Sequence, residues 1–253
     1  MLELQKFMQE HDNWSELLAA EPYNLKISYY EKLVMFKYNQ LTANFSIPLV
    51  REARGIILER KPPYRVACWP FEKFFNYGEE YAAQIDWSTA SVQEKIDGSL
   101  MKCYFWDDEW RLATNGTINA YIASLDDCIE FQTYGELWDS IWPNWRETMD
   151  KYASKQATYM FEMVSPYNKV VIPYQESEIY FLGWRDNGTG YELLPTDSTI
   201  SHYRLMPNYY PLNSLEEVIA AADNLPWDRE GYVVCDGKFN RVKIKSPAYI
   251  TAH

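Results

Sequence analysis

The chain has 253 residues, is 47% hydrophobic and 17% aromatic, and carries 24 basic against 36 acidic side chains, a net charge of −12. This is enough apolar material for a substantial core, and a balance too acidic for tight nonspecific nucleic-acid binding; a local cationic groove with weak, magnesium-dependent, salt-sensitive binding stays open. The chain has no 18-residue apolar run and no signal-like start, which excludes a spanning helix and favours a cytoplasmic protein; Cys68, Cys103, Cys128 and Cys235, with only three histidines, lack zinc-site spacing and predict reduced thiols.

Residues Leu2 to Ala20 predict a helix with an apolar stripe of Leu2, Phe7, Trp14, Leu17 and Leu18. From Ile27 to Cys68 the pattern is strand-rich, interrupted by Pro48 and Pro62-Pro63. A strand runs into Lys95-Ile96-Asp97-Gly98-Ser99, where Asp-Gly suits a tight turn. Ile118 to Ser154 predicts mostly helix, broken or restarted at Pro143. Tyr159-Met160-Phe161-Glu162-Met163-Val164 reads as a buried strand carrying one charge. Asp186-Asn187-Gly188 and Asp236-Gly237 are hairpin turn signals, and Ser214-Leu215-Glu216-Glu217 is a capping box opening a helix towards Asn224. Val242-Lys243-Ile244-Lys245 is extended, with both lysines on one face by their i, i+2 spacing.

One lysine, two carboxylates and a lysine pair suit nucleotidyl transfer. A lysine attacking a nucleoside triphosphate must be a neutral amine, whereas a free lysine has a pKa of about 10.4; lowering it by about three units costs about 4 kcal/mol, which nearby cations and partial burial supply. Lys243 and Lys245 are candidates for those cations, and for holding the triphosphate as pyrophosphate leaves. Glu162 needs a partner if buried, and Glu230 offers hard oxygens for magnesium.

In this order, Lys95-Ile96-Asp97-Gly98, Phe161-Glu162, Glu230-Gly231-Tyr232-Val233 and Val242-Lys243-Ile244-Lys245 resemble motifs I, III, IV and V of the covalent nucleotidyltransferases. Ala53-Arg54-Gly55-Ile56-Ile57-Leu58-Glu59, Phe71-Glu72-Lys73-Phe74-Phe75-Asn76-Tyr77 and Lys243-Ile244-Lys245-Ser246-Pro247-Ala248-Tyr249 narrow the likeness to the bacteriophage RNA ligase 1 family. The resemblance implies an α+β nucleotidyltransferase (ligase adenylation domain) fold of antiparallel sheets flanked by helices. The single domain would cover residues 1–253, with 1–50 a family-variable part and the family's helical C-terminal domain absent. It implies an ATP-dependent RNA ligase that carries AMP on Lys95, with Mg2+ or Mn2+ as metal, RNA 5′-phosphate and 3′-hydroxyl ends as substrate, and an end-healing polynucleotide kinase/phosphatase as a partner in RNA repair. A phage-encoded enzyme of this kind would act in the host cytoplasm.

By carry-over, Lys95, Glu162, Lys243 and Lys245 are catalytic, and Glu230 binds metal. Arg54, Lys73, Phe75, Glu94, Gly98, Asn115, Val233 and Tyr249 join Glu162, Lys243 and Lys245 in binding ATP. The ring facing Val233 is Tyr180 or Trp184, and Glu94 reads adenine through its side chain or its backbone carbonyl. One departure stands out: where the family has a basic residue in Thr-Lys-Gly or Thr-Arg-Gly, this chain has Thr114-Asn115-Gly116, which brings no charge. Taken singly, each residue has an ordinary structural reading as strand, turn, ion pair or core; their joint order outweighs it. A DNA ligase or capping guanylyltransferase would share the lysine chemistry, and a catalytically retired RNA-binding module would need none of it.

Overall fold

The computed structural model describes residues 1–194 and 202–253, and the chain forms two compact α+β units. The first comprises Met1–Lys73, Leu100–Phe161 and Leu182–Tyr203; the second comprises Phe74–Ser99, Glu162–Phe181 and Arg204–His253.

In the first unit, strands β1 (Lys26–Tyr30), β2 (Leu33–Lys37), β3 (Arg54–Glu59) and β4 (Val66–Cys68) form an antiparallel sheet in chain order. The buried Val34, Phe36, Ile56 and Leu58 share a core with Leu4, Met8, Trp14 and Leu18 of helices α1 (Glu3–Glu10) and α2 (Trp14–Ala19). The single helix expected over Leu2 to Ala20 is therefore two: Asp12-Asn13 turns the chain, as short polar side chains favour, and the His11 ring bonds the Phe7 carbonyl at 2.8 Å. A short helix, α3 (Pro48–Glu52), starts at Pro48. Its Glu52 carboxylate accepts from the Glu3 and Leu4 amides at 2.9 Å each and so caps α1.

Strands β7 (Ser99–Trp106) and β8 (Glu109–Thr114) pair antiparallel in the sheet β11-β10-β9-β7-β8, with β9 (Ala157–Val164), β10 (Glu178–Asp186) and β11 (Glu192–Leu193). Helix between 118 and 154 is confined to α4 (Tyr134–Ile141) and α5 (Trp145–Tyr152), with Pro143 between them. Residues 118–133 instead form turns, because Asn119 Oδ1 accepts from the Tyr121 amide at 2.9 Å and the Cys128 sulfur from the Phe131 amide. Local bonds of this kind replace the helical ladder.

The second unit is built on a sheet of order β12-β6-β13-β14-β5: β12 (Tyr209–Tyr210), β6 (Ser91–Glu94), β13 (Gly231–Cys235), β14 (Arg241–Lys245) and β5 (Phe75–Asn76). Only the β14–β5 pair is parallel. Val92, Val234, Val242, Tyr232 and Ile244 pack one face against Val218 and Ala222 of α6 (Leu215–Asp223). Ser214 caps that helix as expected, accepting from the Glu217 amide at 3.2 Å. The last helix, α7 (Pro247–Ala252), follows β14 directly. Both expected hairpin turns fall between paired strands, Asp186-Asn187-Gly188 after β10 and Asp236-Gly237 after β13.

Candidate active site

Strand alternation in the second unit divides the predicted residues between two faces. Tyr209, Gln93, Val233, Lys243 and Asn76 are successive cross-strand partners and so share one face, opposite the core row of Val92, Val234, Val242 and Phe75. Lys95 continues the first face: its amide donates to the Gly231 carbonyl at 2.8 Å, and Gly231 is the register partner of Lys245. Lys95, Val233, Lys243 and Lys245 thus converge on one surface.

At that surface the Lys95 ammonium donates to Glu230 Oε1 at 2.9 Å, and Lys245 Nζ stands 3.7 Å from the same oxygen. The Glu230 side chain is 5% exposed, against 23% for Lys95 and 27% for Lys245. One buried carboxylate therefore balances two partly buried ammonium groups and provides an acceptor within reach of the Lys95 proton. Lys243 Nζ lies 5.4 Å from the Phe74 ring centroid, a cation–π distance. Glu230 is also the metal candidate, and its oxygen chemistry fits magnesium; among the described residues no group of three or more His, Cys, Asp or Glu forms a ready-made cage.

The turn after Lys95 is held tightly. Asp97, 4% exposed, accepts from the Val171 and Ile172 amides at 3.0 and 2.7 Å and from the Tyr249 hydroxyl at 2.9 Å. Burial and the adjacent Glu230 and Asp97 raise the Tyr249 phenol far above its usual range, so it remains a donor. Glu162 Oε1 accepts from the Gly98 amide at 3.2 Å. A Cβ on Gly98 would lie 2.5 Å from the Met163 carbonyl oxygen, so only glycine permits this approach.

Several predicted residues occupy places the sequence did not foretell. Phe75 is 6% exposed on the core face, and it is its neighbour Phe74 that accompanies Lys243. Tyr249 is 2% exposed and braces Asp97. The Glu94 side chain stands on the face away from Val233, accepting from the Asn208 amide at 3.0 Å and pairing with Arg229 at 3.3 Å. Of the two rings considered for Val233, Trp184 stacks on Tyr159 at 5.7 Å in the first unit, while Tyr180 belongs to the second. Arg54, Lys73 and Asn115 belong to the first unit, where Lys73 Nζ packs 5.2 Å from the Phe45 ring centroid. Asp97 as anchor and Phe74 as companion of Lys243 had only position in a motif to betray them.

The comparisons with known proteins fit this geometry. The RNA ligase family model of the bacteriophage T4 RNA ligase 1 type matches residues 52–249. A putative bifunctional polynucleotide kinase/RNA ligase of Autographa californica nuclear polyhedrosis virus is 30% identical over 92% of the chain. An RNA ligase of Rhodothermus phage RM378 is 28% identical over 87% of it. The chain spans 35% and 64% of those two relatives. Among solved structures, an archaeal ATP-dependent RNA ligase superposes with a TM-score of 0.58 at 15% identity, over 97% of this chain and 65% of that one, a likeness of fold. With four motifs in order and the family model covering most of its length, the chain belongs to the phage-type RNA ligase 1 family.

Proposed function

We propose that the protein is an ATP-dependent RNA ligase working through a covalent AMP on Lys95. The observation that carries this reading is the Lys95–Glu230–Lys245 cluster at 2.9 and 3.7 Å, in a chain of the RNA ligase family. Glu230 accepts the Lys95 proton; the freed amine attacks the α-phosphorus of ATP, an N–P bond forms and the bond to pyrophosphate breaks. Lys243 and Lys245 neutralise the departing pyrophosphate. Once Lys95 carries AMP its ammonium charge is gone; with the proton passed on to solvent, the Glu230 carboxylate would be free to hold a magnesium ion, which would supply further charge neutralisation. An RNA 5′-phosphate oxygen then attacks the same phosphorus and releases Lys95, and a 3′-hydroxyl displaces AMP to leave a phosphodiester.

Glu162 and Asp97 orient the turn behind Lys95, and Val233 offers an apolar face to adenine. Glu94 addresses adenine through its backbone carbonyl, since its side chain is engaged with Arg229. Gly98 allows close backbone approach, and Phe75 and Tyr249 act as supporting rings in the same unit; Arg54, Lys73 and Asn115, carried by the first unit, are further candidates for nucleotide binding. Residues 1–253 would act as one nucleotidyltransferase module, with 1–50 its variable part, in a cytoplasmic RNA-repair setting. The kinase named in the viral relative supports an end-healing partner that prepares 5′-phosphates and 3′-hydroxyls.

Incubation with α-labelled ATP or GTP and magnesium, followed by denaturing electrophoresis, tests the reading. Label from ATP is expected on wild-type protein, absent in Lys95→Ala and discharged by 5′-phosphorylated RNA. Preference for GTP or nicked DNA would redirect it to a capping enzyme or DNA ligase. No label on protein stripped of AMP would overturn it.

A further inference from the structure

In the first unit a row of cations crosses three strands. Lys26, Lys37 and Arg54 are register partners on β1, β2 and β3, so three like charges stand side by side. Directly opposed like charges destabilise a sheet, and this row occurs in a chain of net charge −12. The backbone is shaped to make it. The β2–β3 register shifts between Phe36 and Lys37, leaving Gly55 as the extra residue, with φ +81°. Such a bulge re-aims the side chains beside it, and glycine takes that conformation without penalty.

Behind the row lies a fourth cation. Lys102 is fully buried, and its ammonium donates to the Gly55 carbonyl at 2.5 Å. A Cβ on Gly55 would meet Lys102 Nζ at 2.6 Å and the Asn115 carbonyl oxygen at 2.5 Å, while one on Gly116 would stand 3.0 Å from Lys37 Nζ. The turn that lacks the family's basic residue therefore packs against Lys37, and Gly55 stands between it and Lys102. Among the described residues, Lys26, Lys37 and Lys102 have no carboxylate within ion-pair distance. A fully buried ammonium without an anion is costly. Burial lowers both Lys37 and Lys102 below the ordinary lysine range, and neighbouring cations add to it, Lys26 and Arg54 for Lys37 and Lys37 and Arg54 for Lys102.

We propose that Lys26, Lys37 and Arg54, backed by Lys102, form a phosphate-binding subsite in which Lys37 and Lys102 supply the charge missing at Asn115. Lys37, partly exposed, contacts the phosphate; Lys102 acts from behind as a fixed charge that positions Gly55. The phosphate belongs either to ATP or to RNA, and only that assignment rests on the ligase reading.

Tripolyphosphate binding, followed by thermal shift in a Lys243→Ala/Lys245→Ala background, reads the subsite without requiring catalysis. The dissociation constant is expected to rise roughly tenfold or more in Lys37→Gln and to recover in Lys37→Arg, as loss of one charge-assisted bond predicts. Two kinetic arms in the otherwise wild-type protein separate the sources. A higher KM for ATP in lysyl-AMP formation identifies the triphosphate; a defect confined to AMP transfer onto 5′-phosphorylated RNA identifies the RNA phosphate. Asn115→Lys should partly rescue Lys37→Gln in whichever arm is affected. Unchanged tripolyphosphate affinity in a Lys26→Gln/Lys37→Gln variant, with both arms unchanged, would overturn the subsite. Failure of the ligase reading would look different: wild-type protein would bind tripolyphosphate yet form no lysyl-AMP.

Discussion

Glu230 has two cationic partners and one task at a time. Its carboxylate accepts from the Lys95 ammonium, Nζ to Oε1 2.9 Å, and under the proposed mechanism it would lose that partner once the amine carries AMP. Glu230→Gln removes the proton acceptor while keeping the volume, so lysyl-AMP formation should fall about 100-fold or more; a single-turnover rate close to wild type on folded protein would remove Glu230 from that role. Lys102 makes a separate prediction for stability. Burial lowers its pKa from 10.5 to about 8, so between those values the unfolded chain holds a proton that the folded chain has released. Stability should therefore rise with pH across that window, by roughly 3 kcal/mol in all if the shift is fully expressed. Below about pH 8 both states are protonated and the cost is present in full. Urea melts at pH 7.5 and 10 should show this rise in wild type and lose it in Lys102→Met.

At the scale of elements, the β13–β14 hairpin sets the spacing of the lysines. Gly231 has φ +142°, and a Cβ there would run into the Ile244 carbonyl oxygen. Gly231→Ala should cost about 1–3 kcal/mol through backbone strain, and it should move Lys245 away from Glu230. Lysyl-AMP formation is expected to fall well beyond what the loss of folded protein explains; equal losses in circular dichroism and activity would reduce the glycine to a folding role. The hairpin was legible in the sequence because Asp236-Gly237 marks its turn and Lys243 and Lys245 alternate with apolar Val242 and Ile244. Residues 118–133 were not, because Asn119 and Cys128 take up local backbone amides and no periodicity reports that competition. The division of Leu2 to Ala20 escaped for a related reason: the apolar stripe continues through a turn at Asp12-Asn13.

For the whole molecule, a net charge of −12 coexists with clustered cations in each unit: Lys95, Lys243 and Lys245 in one, Lys26, Lys37, Arg54 and Lys102 in the other. RNA held by so few phosphate contacts against an acidic background should bind weakly and lose affinity steeply with salt. Raising KCl from about 50 to 200 mM should therefore slow AMP transfer to RNA several-fold while changing lysyl-AMP formation less. Equal salt sensitivity of the two steps would remove the electrostatic account of RNA binding. No helix among the described residues is long and apolar enough to cross a membrane.

The sequence by itself determined the chemistry on offer: a lysine before Asp-Gly, two carboxylates and an alternating lysine pair, in an order that marks the family. It did so because those features are local, carried by residue type, short spacing and turn propensity. Only the tertiary structure decided which groups meet. Glu230 against Lys95, Asp97 against Tyr249, and Lys102 beneath Gly55 join residues 135, 152 and 47 positions apart. Such pairings follow from strand register and burial. They also decided which aromatic residue, Phe74 or Phe75, stands on the lysine face, because one step along a strand reverses the side on which a ring emerges.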